Sequence, residues 1–263
     1  MASLSAQQIS HYWRRGYVNN VPALTAAEVA HFRAEFDRVE RQGDASHGGL
    51  WVDRAFRPWA TKHHPLEDWF IELAVHPRVL DAVESIIGPD ILVRNADIFL
   101  KNVGSEEEVD WHVDSAMQAP SVDGLVTAWI GLSESKESMG AMRFAVGTHR
   151  GSGLYKSSDE LNLNEAEIAE IEKGELVYNE MPAGNVSMHH FNLVHRSSFN
   201  VTDQRRVGFV VRYMAPNVTQ EAAEAGAGML ARGRDTVNNF ALKPNFPVSW
   251  DVDHELLLAA GLM

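Results

Sequence analysis

The sequence predicts a mostly β protein with flanking helices (α+β), in which a closed or double-sheet β core such as a jelly roll is buttressed by helical segments. Helical hydrophobic patterns dominate the first 90 residues, short β-like segments follow from Ile91 onward, and glycine-containing turns separate many of these segments. With 263 residues, 45% of them hydrophobic, the chain can bury one large core. We expect a single domain over residues 1–263: a mainly helical part at 1–90, a β core at 91–215 and a C-terminal extension at 216–263.

Five helices are expected from apolar residues at helical spacing, at residues 5–15, 25–42, 66–87, 164–173 and 254–260. Thr25 followed by Glu28 is a capping box at the start of the second helix. Pro77 interrupts the third helical pattern, and the turn that begins at Gly88 ends it. Asn164 is a suitable N-cap for the fourth.

Seven strands are expected after the first helices, at residues 91–103, 109–114, 125–132, 142–146, 175–178, 185–190 and 207–214. The Ala/Gly-rich tract at 221–233 lacks a strand pattern. We therefore expect a loop there, in the position of a lid or a mobile surface segment.

The composition indicates which classes of molecule the protein can bind. Lys and Arg number 23 against 36 Asp and Glu, and the net charge of −13 opposes attraction to nucleic acid or to an anionic membrane. No apolar run approaches the roughly 18 residues of a membrane span, and the N-terminus lacks the apolar region of a signal peptide. We expect a cytoplasmic protein with a small-molecule partner, and no pattern indicates an oligomeric state. Because cysteine is absent, a metal site must use His, Asp or Glu.

The pair His112 and Asp114 is the first candidate for such a site. Side chains two residues apart on a strand project from the same face, so an imidazole and a carboxylate can converge on one ion. A non-haem iron site needs a second imidazole, which must come from a distant histidine. Alone, the pair is more typical of a surface strand with two polar residues than of a metal site, but three later histidines, at 189, 190 and 195, supply candidates for the missing ligand.

His195 precedes Arg206 by 11 residues. An arginine entering an apolar strand needs an anionic partner, and a guanidinium group binds a carboxylate through two parallel hydrogen bonds. A metal ion and Arg206 would thus hold opposite ends of a dicarboxylate such as 2-oxoglutarate. The adjacent Arg205 points to the opposite face and suits a surface strand charge.

Five motifs follow one another in an order and spacing that resemble the phytanoyl-CoA dioxygenase family of Fe(II)/2-oxoglutarate oxygenases, over about half of the chain. They are RNADIFLK (94–101), WHVD (111–114), VTAWIGL (126–132), GAMRFAVGTHR (140–150) and the segment from GNVSMHHFNLVHRSSFN to RRVGFVVRYMAP (184–216). The resemblance implies a double-stranded β-helix, a cupin-like jelly roll, in which His112, Asp114 and His195 bind Fe(II). It also implies that Arg206 binds 2-oxoglutarate and that dioxygen is consumed.

Further residues are candidates for the same pocket. The resemblance places Lys101 and Asn95 on strands near it, as substrate or co-substrate contacts, and Trp129 flanks it as part of the wall. Arg212 shares the parity of Arg206, but we expect an edge residue rather than a second inward cation. For His189 and His190 we expect structural roles.

The resemblance implies a hydroxylase that acts on an unactivated C–H bond and releases succinate and CO2, and it is strongest with hydroxylases of small polar molecules such as aminophosphonates and betaines. The presence of Asp114 favours hydroxylation over halogenation, in which a small residue replaces this carboxylate. Asn185 and Arg196 stand where the family commonly has Asp and Gly. Alternatives are desaturation or cyclisation in natural-product biosynthesis, a zinc or manganese hydrolase or isomerase, and a non-enzymatic metal- or ligand-binding jelly roll.

Overall fold

The computed structural model describes residues 3–47, 68–114, 122–151, 163–219 and 227–242. Its helices are α1 (Ala6–Arg15), α2 (Ala26–His47), α3 (Asp68–Ala74), α4 (Pro77–Ile87) and α5 (Glu165–Ile171). Its strands are β1 (Tyr17–Pro22), β2 (Ile91–Lys101), β3 (Val109–His112), β4 (Leu125–Gly131), β5 (Met142–Ala145), β6 (Leu176–Tyr178), β7 (Asn185–His190), β8 (His195–Ser197), β9 (Arg206–Met214), β10 (Ala227–Arg232) and β11 (Ala241–Leu242). No helix in these ranges combines the length and apolar character that crossing a membrane requires.

Two sheets form the β core and confirm the predicted fold class. The large sheet has seven strands in the order β1-β7-β4-β9-β2-β10-β11, and the small sheet has four in the order β3-β8-β5-β6. All pairings except that of β10 with β11 are antiparallel. Residues of both sheets line one cavity, so the sheets face each other across it.

Helices α1 to α4 cover the outer face of the large sheet, whereas Ile171 of α5 packs against Trp111 and Ala145 of the small sheet. Tyr12 of α1, Phe32 of α2 and Trp69 of α3 belong to one buried cluster that also contains Phe209 of β9. Full burial of one phenylalanine side chain, such as that of Phe32 or Phe209, stabilises the fold by roughly 1.5 to 3 kcal/mol relative to exposure. In addition, the hydroxyl of Tyr213 donates a hydrogen bond of 2.7 Å to the carbonyl of Ala74. One face of the sheet is therefore packed with apolar side chains, and the other is available for a polar site.

The helix ends follow the signals in the sequence. The backbone N–H of Thr25 donates to the Glu28 carboxylate (2.7 Å), and the N–H of Glu28 donates to the Thr25 hydroxyl (3.3 Å), which confirms the capping box. Asn164 caps α5 as expected. The third predicted helix is two helices, since the chain restarts at Pro77, whose missing N–H is tolerated in a first helical turn.

The prediction of a loop at 221–233 is wrong for residues 227–232, and residues 221–226 lie outside the described part of the chain. Residues 227–232 form β10, which pairs antiparallel with β2 through Met229 and Val93. Strands β1 and β8 were also missed, because short strands depend on partners far away in the chain rather than on a pattern of their own. The predicted helix at 254–260 lies outside the described residues.

We predict that Gly208→Ala destabilises the protein. A Cβ at this position would lie 2.1 Å from Cε2 of Trp129, so the indole ring that crosses Gly208 must move within a packed sheet. Overpacking of this kind costs about 1 to 3 kcal/mol, and thermal unfolding measures it as a lower Tm. Gly174→Ala is the control, because Gly174 is exposed and its nearest contact is 3.2 Å. Equal Tm values for the two variants would contradict the close approach of Trp129 to this backbone.

Candidate metal centre

The small sheet brings two histidines side by side. His112 is the last residue of β3, His195 is the first residue of β8, and the two are direct cross-strand partners. Their ring centroids lie 4.1 Å apart. A bulge between Val109 and His112 allows both of these residues to face the cavity. Antiparallel pairing thus joins residues that are 83 positions apart in the sequence.

The protonation of both rings suits metal binding. Nδ1 of His112 lies 2.8 Å from the carbonyl oxygen of Asp110, and Nδ1 of His195 lies 3.0 Å from that of Leu193. A carbonyl only accepts hydrogen bonds, so each Nδ1 carries the proton and each Nε2 keeps a lone pair. Burial lowers the pKa of His112, and it lowers the pKa of His195 well below the usual range. Both rings are therefore neutral at physiological pH.

Asp114 completes the group. It follows β3, and its N–H donates to the carbonyl of Phe191 (3.0 Å), which holds the residue against the end of β7. Its side chain is only 4% exposed. Burial alone would raise the pKa of this carboxyl, but the positive charge of Arg212 and the hydrogen bond from His189 hold it well below its usual range. Asp114 is therefore ionised.

The three residues fit a divalent metal. Ligand atoms of His112, Asp114 and His195 all lie within 4.8 Å of one another. Two neutral imidazoles and one carboxylate on one side of an ion form the set that non-haem Fe(II) oxygenases use, with the remaining coordination positions open. The structure thus brings together the three predicted ligands.

Arg206 lies in the same cavity, which has a volume of about 320 Å³. It is 2% exposed, and one terminal nitrogen donates to the carbonyl of Gly140. Its Nε has no partner, and no carboxylate forms an ion pair with it, among the described residues. Burial lowers the pKa of Arg206 to about 10, so the group stays protonated at neutral pH. A buried cation without an acidic partner suits the carboxylate of a ligand.

The other predicted contacts divide into two groups. Asn95 and Trp129 line the cavity, and the Arg206 guanidinium carbon lies 5.7 Å from a ring centre of Trp129. Lys101 does not belong to the described lining: its Nζ donates to the backbone carbonyl of Glu107 (2.6 Å). Burial, and then the charge of Arg206, lower the pKa of Lys101 to about 8. Lys101 therefore stabilises the backbone behind the cavity and does not contact the cavity itself.

Arg205 lies on the outer side, as expected, but it is not simply a surface charge. Its guanidinium group donates to the carboxylate of Glu40 in α2 (3.0 Å), and its Nε donates to Asn102 (3.0 Å). It also lies over the ring of Phe36 at 5.8 Å. Arg205 therefore anchors a helix to the sheet.

The expectation that Arg212 is an edge residue is wrong. Its side chain is 11% exposed and lies between two carboxylates, with Nη1 2.7 Å from Asp97 and Nη2 3.3 Å from Asp114. Sequence reasoning also missed Thr127, whose hydroxyl donates to Asp114 (2.6 Å). The sequence did contain a signal for both residues. Arg212 lies six residues after Arg206 on one strand and Thr127 lies two residues before Trp129 on another, and residues an even number apart share one face of a strand.

The two adjacent histidines of β7 separate as strand geometry requires. His189 is buried in the cavity wall, and its Nε2 lies 3.0 Å from the Asp114 carboxylate. His190 points the other way, where its Nε2 lies 3.3 Å from Asp123. Arg196 forms an ion pair with Glu108 (3.0 Å). The structural roles expected for the two histidines agree with these contacts, although His189 also touches a predicted metal ligand.

Comparisons with known proteins identify the family of the chain. The family model of phytanoyl-CoA dioxygenase (PhyH) matches residues 12–208. A curated relative from Stutzerimonas stutzeri, a probable alpha-ketoglutarate-dependent hypophosphite dioxygenase, is 26% identical over 257 residues that cover 88% of this chain and 87% of the relative.

Two solved structures show the same architecture. The non-heme monooxygenase ThoJ in its nickel complex is 28% identical, with a TM-score of 0.71 over 97% of this chain and 94% of ThoJ. The non-heme alpha-ketoglutarate-dependent epimerase SnoN from nogalamycin biosynthesis is 25% identical, with a TM-score of 0.59 over 80% of this chain and 82% of SnoN. Since the family match spans well over half of its residues, the chain belongs to the phytanoyl-CoA dioxygenase family and is a non-haem dioxygenase dependent on Fe(II) and 2-oxoglutarate.

Proposed function

We propose that the protein hydroxylates an unactivated C–H bond of a small polar metabolite, with Fe(II) bound by His112, Asp114 and His195 and with the far carboxylate of 2-oxoglutarate bound by Arg206. The observation that carries this proposal is the shared cavity. It contains a triad of two neutral imidazoles and one ionised carboxylate, and a buried guanidinium group without an acidic partner among the described residues.

Different residues of the chain would bind the metal, orient the co-substrate and exclude water. When bound here, iron activates dioxygen at the expense of 2-oxoglutarate, which is converted to succinate and CO2. Arg206 orients the co-substrate from its far end, so the keto acid end points toward the triad. Apolar side chains of Phe99, Met142 and Val210 line the same cavity and exclude bulk water.

The cavity supports a compact, polar substrate. A volume of about 320 Å³ lies at the small end of ligand pockets and must hold the co-substrate as well. Asn95 and Asp97 add oxygen acceptors to its wall, and in the described part of the chain Oδ1 of Asn95 has no donor. A substrate that carries an ammonium or N–H group, such as an amino acid or aminophosphonate, matches these acceptors. The curated relative named for hypophosphite also supports a small polar substrate.

Desaturation or cyclisation is the second candidate outcome. The same ligand set supports it, and the name of one similar enzyme, an alpha-ketoglutarate-dependent epimerase, indicates that such enzymes are not confined to hydroxylation. Hydroxylation is favoured because the similar protein ThoJ is named a monooxygenase. The ionised Asp114 sets both outcomes apart from halogenation, in which a small residue replaces this carboxylate.

Removal of the carboxylate ligand tests the metal assignment. Asp114→Ala should reduce succinate formation to background and weaken the binding of Mn(II) to the metal-free protein, because two imidazoles alone hold a divalent ion poorly. Coupled succinate assays and titration calorimetry measure the two effects. Asp110→Ala is the control, since Asp110 is exposed and contributes only its backbone carbonyl to His112. Full turnover by Asp114→Ala would remove the iron assignment.

The adjacent arginines test the co-substrate assignment. Arg206→Met should raise the KM for 2-oxoglutarate by about 30-fold or more, because loss of a buried charge pair costs roughly 2 kcal/mol at least. Arg205→Met should leave this KM unchanged but lower the Tm, since Arg205 contacts Glu40 and not the cavity. An unchanged KM in Arg206→Met would reassign the dicarboxylate to another cation.

A substrate screen tests the proposed chemistry. Small amines, amino acids, aminophosphonates and betaines are incubated with Fe(II), ascorbate and 2-oxoglutarate, and succinate release that depends on one of them is expected. Mass spectrometry of the product should show the gain of one oxygen atom. Loss of two hydrogen atoms would instead support desaturation or ring closure.

A further inference from the structure

A row of polar side chains crosses four strands of the large sheet on the face that lines the cavity. Thr127 of β4 is the cross-strand partner of both His189 of β7 and Arg212 of β9, and Arg212 is the partner of Asn95 of β2. All four side chains line the cavity. Because directly opposed residues project to the same face, the row is a consequence of strand register.

Three members of this row donate hydrogen bonds to Asp114. The Thr127 hydroxyl (2.6 Å) and His189 Nε2 (3.0 Å) donate to one carboxylate oxygen, Oδ2. Nη2 of Arg212 lies 3.3 Å from the other oxygen, Oδ1. An ionised carboxylate only accepts, so the proton in the contact with His189 lies on the imidazole.

The number of lone pairs then limits what Asp114 offers to a metal. A carboxylate has about four lone-pair sites, two on each oxygen. Among the described residues, donors occupy both sites of Oδ2 and one site of Oδ1. One site remains, and it lies on the oxygen beside Arg212.

We propose that Thr127, His189 and Arg212 are positioning residues that orient the Asp114 carboxylate so that it offers a metal the oxygen beside Arg212. The inference rests on the proposed metal site. Binding through both oxygens would require Thr127 or His189 to give up its bond, which would leave a buried donor unsatisfied.

Arg212 is itself held in place. Its Nη1 donates to Asp97 (2.7 Å), so the guanidinium group is anchored on β2 while it contacts Asp114. A planar guanidinium group with one end anchored has little freedom to rotate. The direction of the remaining lone pair on Asp114 is therefore set by groups on three strands, β4, β7 and β9, with β2 as the anchor.

Thr127 provides the matched test. Thr127→Val keeps the shape of the side chain but removes the hydroxyl, whereas Thr127→Ser keeps the hydroxyl. The metal-free proteins are titrated with Mn(II) by calorimetry. Thr127→Val should bind Mn(II) about 10- to 100-fold more weakly, as expected for loss of a hydrogen bond to a metal ligand. Thr127→Ser should stay close to the original protein, and the Tm of the metal-free proteins shows whether either change merely disturbs the fold.

Equal Mn(II) affinity in Thr127→Val and the original protein would overturn the inference. If the original protein itself binds no Mn(II) or Fe(II), the proposed metal site fails instead, and the two failures are thereby distinguished. If Thr127→Val does not fold, His189→Gln, which keeps an N–H donor, and His189→Leu, which does not, give the same comparison.

A crystal structure of the Mn(II) complex gives a direct readout. The metal should contact the Asp114 oxygen that faces Arg212, while the other oxygen keeps its bonds to Thr127 and His189. Contact of the metal with both oxygens, or only with the oxygen beside Thr127, would overturn the inference.

Discussion

The buried negative charge of Asp114 is the constraint around which the site is organised. An ionised carboxylate removed from water is strongly destabilising unless it is paired and hydrogen-bonded. In this protein the partners are a hydroxyl, an imidazole and a guanidinium group, all from the inner face of the large sheet. They keep the group ionised without a metal, so the site is electrostatically prepared before an ion arrives.

The two sheets make different contributions to this preparation. The small sheet supplies the two neutral imidazoles, because its β3–β8 pairing sets His112 against His195. The large sheet supplies the charged groups, with Arg206 and Arg212 on the inner face of β9. A shift of one residue in the β9 pairing would turn both arginines toward the apolar helices, so the register of this strand is a functional requirement as well as a structural one.

Three arginines in or next to β9 have different roles because they have different acidic partners. Arg205 is neutralised by Glu40 of α2 and ties a helix to the sheet. Arg212 is neutralised by Asp97 and Asp114 and helps to hold the Asp114 carboxylate in place. Arg206 has no acidic partner in the described part of the chain, and we propose that its charge binds the dicarboxylate co-substrate. One residue type thus supplies a helix anchor, a partner for Asp114 and the proposed binding group.

By itself, the sequence determined the fold class, the metal ligands as candidates and the inward direction of Arg206. These features depend on local quantities: the two-residue period of a strand, the coordination chemistry of His and Asp, and the spacing of motifs. Only the tertiary structure decided the roles of Arg212, Thr127 and Lys101, and only it revealed strand β10. Each of these depends on a partner that is distant in the chain, namely Asp97 and Asp114 for Arg212, Asp114 for Thr127, and β2 for β10. Even for Lys101, whose partner Glu107 is six residues away, the choice between the cavity and a backbone carbonyl depends on how the following loop folds back. A pattern along the chain predicts which face of a strand a side chain occupies, but it does not predict which distant residues that side chain will contact in the folded protein.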